Sequence, residues 1–237
     1  MPREVIELSS TDSHYLRDVL RLNSGDAVEI GERGKGAIFH GEIESVGALV
    51  TVRLLDHIPE AAQETSISLL CALCKGQKNE QILDWATELG ASQIIFFQAE
   101  RSVVRLRSTD DLETKKARFS KIATAAAQQS RQAKPPEVTI TLYLEEALPL
   151  IPSHPSLLKA ICSLAPEATP LGDAVRRLPS DSHVCVVIGP EGDLSPDEHA
   201  SLVNAGFIPT SLGPKVLRSE LAVVTAVATI NAARLGS

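Results

Sequence analysis

From residue 66 onward the chain alternates short, unbroken apolar runs with stretches of helical periodicity, and this alternation constrains the fold more than any other feature. A strand with no polar side must be covered on both faces, which is the condition of a parallel sheet clad in helices. Residues 66–74, 93–97, 157–163 and 184–188 read as such strands. Residues 81–89 place Ile82, Leu83, Ala86 and Leu89 on one helical face, with Gly90 where a C-cap is wanted. Residues 113–131 form a long basic helix stopped by Pro135-Pro136, and a short helix is expected near 172–178. The order predicts an α/β domain with a mostly parallel sheet. Aromatic residues are only 3% of the 237, so its core is packed mainly with Val, Ile, Leu and Ala.

The texture before residue 66 is different. Ser24-Gly25-Asp26 and Gly34-Lys35-Gly36 are turn signals, and residues 27–30, 37–40 and 49–52 around them show partial alternation. One helical segment near 14–21 interrupts these strands, and Trp85 further on reads as a core residue. A small β-barrel over residues 1–65 is the natural reading, with 58–65 as linker and 66–237 as the second domain.

Net charge is −7, which by itself argues weakly against a nucleic-acid partner. Its distribution argues the other way. Residues 101–134 hold nine basic residues against three acidic ones, a local +6 that leaves −13 for the rest. A basic patch on an acidic protein fits a phosphate-binding face, and equally a solvated helix. Cys71, Cys74, Cys162 and Cys185 each sit inside an apolar run, as reduced core cysteines do. The Cys71-x-x-Cys74 spacing also serves zinc and redox chemistry, but no second Cys/His pair at metal spacing accompanies it, so no metal is expected. Met1-Pro2-Arg3-Glu4 has no apolar leader and no apolar run is long enough to span a bilayer, so a cytoplasmic protein is expected.

The chemistry is carried by two loops. A Val/Ile strand ends in Ile188-Gly189-Pro190-Glu191-Gly192-Asp193-Leu194, whose glycines let backbone approach a ligand closely. Ser195 then reads as an N-cap, Pro196 as the first helical residue, and Glu198 as the partner in a capping box. A short strand at 208–212 leads to the second loop, Gly213-Pro214-Lys215-Val216-Leu217-Arg218-Ser219-Glu220. The closing segment 221–234 is so apolar around its circumference that it must be buried on most sides, which for a terminal helix suggests a subunit interface. Neither G-x-G-x-x-G nor a Walker lysine motif is present. About twenty residues past Gly192, where a dinucleotide site needs an acid for the ribose, stands Leu212. The loop pair therefore suits an adenosine-bearing ligand without phosphates.

These loops resemble the C-terminal signature of the RsmE family, which methylates N3 of a uridine in 16S ribosomal RNA. The resemblance continues in Lys75-Gly76, Glu88-Leu89-Gly90, Glu100-Arg101-Ser102, Gln128-Gln129-Ser130-Arg131, His14, Val19-Leu20-Arg21 and Gly25-Asp26, in order along nearly the whole chain. It implies a PUA-like barrel followed by a SPOUT domain with a C-terminal trefoil knot, S-adenosyl-L-methionine (SAM) as cofactor, and a homodimer. The implied partner is 16S rRNA or the small ribosomal subunit. Ile188, Gly189, Pro190, Glu191, Gly192, Leu212, Gly213 and Leu217 are the expected cofactor-binding residues. Arg218 and Glu220 are the catalytic candidates. Uracil N3 is protonated at neutral pH, so a guanidinium can stabilise the charge developing on the base while a carboxylate accepts the proton. Arg3, Arg17, Arg21, Arg101, Gln128 and Arg131 are the candidates for RNA contact. Two places depart from the pattern: Asp193-Leu194 replaces Gly-Phe, and Ser219-Glu220-Leu221 replaces Thr-Glu-Thr. The rival readings are a non-catalytic RNA-binding assembly factor and a SPOUT enzyme with another RNA target.

Overall fold

The computed structural model describes residues 4–31, 38–58, 66–106, 108–132 and 134–235. The chain divides into two compact units, Met1–Ala62 and Gln63–Ser237. The proposed linker lies largely outside the described residues, as does Arg3.

In the first unit β1 (Val5–Glu7), β2 (Ala27–Gly31), β3 (Ile38–Val46) and β4 (Val50–Ile58) form an antiparallel sheet in the order β1-β4-β3-β2. Ile43, Val50 and Val52 are its fully buried core, with Leu16, Val28 and Ile30 packed against them. Gly41 is required where β3 crosses Val52, because a Cβ there would stand 2.6 Å from Val52 Cγ1. The expected helix begins earlier than its apolar pattern suggests, since the Ser9 hydroxyl caps α1 (Ser10–His14) by accepting the Asp12 N–H. It then widens into a π-helical turn, Tyr15–Val19.

The second unit holds seven strands in the order β7-β6-β5-β10-β8-β11-β9, every neighbouring pair parallel. They are β5 (Ser66–Ala72), β6 (Gln93–Phe97), β7 (Glu137–Thr141), β8 (Leu157–Cys162), β9 (Thr169–Pro170), β10 (His183–Ile188) and β11 (Ile208–Ser211). The helices are α2 (Lys78–Glu88), α3 (Thr109–Gln129), α4 (Leu144–Ala147), α5 (Leu171–Arg176), α6 (Pro196–Asn204) and α7 (Ser219–Leu235).

The two-residue period of a strand sorts the apolar runs into two cores. Ile67, Leu69 and Cys71 of β5 and Val184, Val186 and Ile188 of β10 meet α2, α3, α5 and α7 on one face. Leu70, Ala72, Cys185 and Val187 meet residues of α4 and α6 on the other. All four cysteines are unbridged. Burial pushes Cys74 up to about 11 and Cys162 and Cys185 up to about 12, so these thiols stay protonated.

Two structural features differ from the sequence reading. β7 follows Pro135-Pro136 and alternates polar and apolar residues because it is an edge strand, so it carries no unbroken apolar run. Trp85 is 37% exposed on the outer side of α2 instead of lying in the core.

Topology positions the site. β10 is central, β8 lies beside it and β11 beyond, so the C-terminal ends of all three open at one edge of the sheet. From β11 the chain crosses back to seat α7 against α2, α5 and β10. On the way, the Ser219 hydroxyl donates to the Gly189 carbonyl at 3.0 Å, joining the second loop to the first.

Candidate active site

A cleft of about 440 Å³ lies at that edge, between the loop after β10 and the loop after β11. Parallel α/β sheets bind ligands outside the carboxyl ends of their strands, where neighbouring connections diverge. The β10 loop is tightly built. Asp193 adopts a left-handed φ of 63°, donates its N–H to the Pro190 carbonyl at 3.0 Å, and accepts the Leu194 N–H on its own Oδ1 at 2.8 Å. Ser195 and Glu198 form the expected capping box at the start of α6. Glu198 does more than cap: one oxygen accepts the Ser195 N–H and the other the Glu100 N–H, each at 2.8 Å, which draws the loop after β6 against this one.

Lys78, first residue of α2, donates to Glu191 at 2.7 Å. Burial would push the Glu191 carboxyl up, but the Lys78 bond and charge and nearby backbone N–H groups outweigh it and hold it below the usual carboxylate value. The same bond raises Lys78.

The β11 loop is open by contrast. Gly213 takes a φ of +118° with space where a side chain would project, a conformation that selects glycine. Val216 is 82% exposed and Arg218 is exposed, while Leu212 and Leu217 are half-buried. Among the described residues, the Val216 and Leu217 N–H groups meet no acceptor, which leaves donors for a ligand.

Of the expected cofactor residues, Ile188, Gly189, Pro190, Glu191, Leu212, Gly213 and Leu217 line the cleft, together with Arg218. Gly192 does not; it packs against Arg101, where a Cβ would come within 3.3 Å of the Arg101 Cβ and carbonyl. Glu220 is also off the cleft wall, buried in the first turn of α7, and its Oε2 has no hydrogen-bond partner. Four lining residues from the end of β8, Ile161, Cys162, Ser163 and Leu164, went unmarked by any motif, as did His199 and Ala222.

Apolar walls from Ile161, Ile188, Leu212 and Leu217 with free backbone donors suit an adenosyl group, so the residues fit SAM. Among the described residues no cluster of His, Cys, Asp or Glu could hold a metal ion.

The sequence matches the RNA methyltransferase domain family over residues 61–231 and the RNA methyltransferase PUA domain family over residues 8–53. The ribosomal RNA small subunit methyltransferase E of Bacillus subtilis is 32% identical over 94% of this chain and 88% of its own length. That of Synechocystis sp. is 30% identical over 98% of this chain and 75% of its own. The chain belongs to the RsmE family.

Among solved structures, the RsmE of Neisseria gonorrhoeae bound to S-adenosyl methionine superposes with a TM-score of 0.82 at 26% identity, covering 98% of this chain and 93% of that one. A Legionella pneumophila methyltransferase with bound SAM gives 0.80 at 28% identity, with the same coverage. The second unit is accordingly the SPOUT domain of an RsmE methyltransferase and the first its PUA-like domain.

Within this RsmE chain the expected RNA contacts divide. Arg17 donates to Asp18 at 2.7 and 3.0 Å and to the Gly47 carbonyl at 2.9 Å, so it staples the π-helical turn to the β3–β4 hairpin. Arg101 reaches the Gly192 and Leu194 carbonyls at 3.5 and 3.4 Å and so braces the β10 loop. Arg21, Gln128 and Arg131 are exposed, the two arginines with left-handed φ values of 56° and 57°. Of the two departures, Ser219 keeps the hydroxyl that joins the loops, and Leu221 is 47% exposed on α7.

Proposed function

We propose that this chain transfers a methyl group from SAM to N3 of a uridine in 16S ribosomal RNA, acting as a cytoplasmic homodimer. The cleft between the two loops carries the reading. Leu212, Leu217 and Ile188 would take the adenosyl group and the Gly213–Leu217 backbone would donate to it. SAM supplies an activated methyl group when bound. The remaining task is to aim the base and manage its charge. Arg218 is exposed at the mouth of the cleft, where its fixed, planar guanidinium can bond a uracil oxygen as negative charge grows. Glu220 is buried in the first turn of α7 and does not line the cleft, so the N3 proton would leave to solvent water at the open mouth of the cleft.

On the second unit the RNA would lie along α3 and the exposed Gln128 and Arg131, with Lys116 and Lys121 meeting phosphates, and the exposed Arg21 would be a contact of the first unit by itself. Affinity would then fall steeply with salt. No helix of the described residues is long and apolar enough to cross a membrane.

The dimer reading rests on α7. One face, with Val223, Ala226, Val227 and Ile230, is buried within the unit. Leu221, Ala228 and Leu235, spaced seven apart, are exposed on another, so the apolar helix is covered on one side only. An aspartate at Ala228 should give monomers in sedimentation. A wild-type chain that is monomeric at micromolar concentration and still active refutes the dimer. The function is tested by mapping methylation on 16S rRNA from a deletion strain by mass spectrometry, before and after incubation with protein and SAM. A mark that is already present, or that the protein does not restore, overturns it.

A further inference from the structure

We infer that Asp193 is a specificity-determining residue that makes the cleft prefer SAM, whose sulfur is a cationic sulfonium, over its product S-adenosylhomocysteine, whose sulfur is a neutral thioether. The inference rests on the cofactor reading above and adds a role for the residue that departs from the family pattern.

The first ground is charge. Lys215 and Arg218 bring two positive side chains to the cleft, and Glu191 is bonded to Lys78. Among the described lining residues, Asp193 is therefore the one carboxylate without a basic partner. Without it the cleft would carry one more net positive charge, from +1 to +2, which disfavours a sulfonium.

The second ground is conformation. A φ of 63° is uncommon outside glycine and carries strain, and such strain concentrates at ligand sites. Glycine would sit there freely, so aspartate adds a carboxylate where backbone geometry alone does not ask for one.

The third ground is fixity. Oδ1 accepts the Leu194 N–H at 2.8 Å and lies 3.5 Å from where a Cβ on Gly189 would stand. The carboxylate is thus held over the loop before any ligand arrives, and no hydrogen bond within the described residues engages Oδ2. A partly exposed pair of opposite charges discriminates by a few-fold, which suffices to release product at equal concentrations.

The test is calorimetric titration of the wild type, Asp193→Asn and Asp193→Gly with SAM and with S-adenosylhomocysteine at low salt. Asparagine keeps the left-handed backbone and the acceptor for Leu194, and glycine removes the strain, so both variants fold. In each, the SAM Kd should rise about fivefold while the product Kd stays put. Both dissociation constants shifting by one factor, or neither shifting, overturns the inference while leaving the methyltransferase reading intact. A wild type that binds neither ligand overturns both.

Discussion

The loops after β10 and β11 face the same cleft and are built on opposite plans. The β10 loop is tied at four points: Lys78 to Glu191, Arg101 to two carbonyls, Glu198 to two N–H groups, and Ser219 to Gly189. The β11 loop carries a bond from the Gly213 N–H to the Ser211 hydroxyl, an exposed Val216 and an exposed Arg218. One wall is set before the ligand arrives, and the other keeps its donors and its cation for what binds. Preorganisation of the first lowers the ordering cost of binding, and freedom in the second lets one side chain meet the base.

The comparison breaks most sharply at Arg218. If the open loop holds the group that acts on the base, Arg218→Ala should slow single-turnover methylation about a hundredfold or more, the usual loss for one preorganised donor. SAM affinity should hardly change. Arg218→Lys should recover part of the rate, because it restores charge without the planar fork. A near wild-type rate, or a loss confined to SAM binding, would make the open loop a cofactor clamp only.

The next effect belongs to the tied loop. Glu198→Ala removes the capping box and leaves the Glu100 and Ser195 N–H groups without their acceptor, at a cost of about 2 kcal/mol. For a chain of this size the thermal midpoint should drop by roughly 5 °C. Val216→Ala on the open loop should leave the midpoint within about a degree, since exposed changes away from special features are nearly neutral. Equal effects at the two sites would erase the contrast.

What could be read from the sequence follows from how local each device is. The capping box is four residues of local chemistry, so Ser195 and Glu198 were legible, as were Gly90 and the buried run of β10. The wall from the end of β8 was not, because the adjacency of β10, β8 and β11 is a non-sequential crossover that no motif encodes. Arg101 stood out as part of a basic run, yet charge counting cannot tell a phosphate-binding arginine from one that braces a loop 91 residues away. Glu220 belonged to the resembling motif, and its burial depends on how α7 returns to the sheet. The second bond of Glu198 is likewise tertiary.

The smallest expected effect isolates the single ion pair that joins α2 to the tied loop. Lys78 and Glu191 are each about one-quarter exposed, with side-chain accessibilities of 23% and 27%, so solvent screens them substantially. Lys78→Met should therefore cost only about half a kcal/mol. Its signature lies in pH. The folded Glu191 is held below its ordinary value of 4.5, so the pair's contribution is complete above 4.5 and fades as pH falls through the folded value. The folded Lys78 is raised above 10.5, so on the alkaline side the contribution is complete below 10.5 and is lost only as pH rises past it. Wild type and variant should differ by a constant small amount across neutral pH and converge in acid. Thermal midpoints taken in steps from pH 7 to pH 3 measure this directly. A difference that persists undiminished to pH 3 would mean that the loss does not come from the ion pair, and the charge tie would drop out of the list that sets the two loops apart.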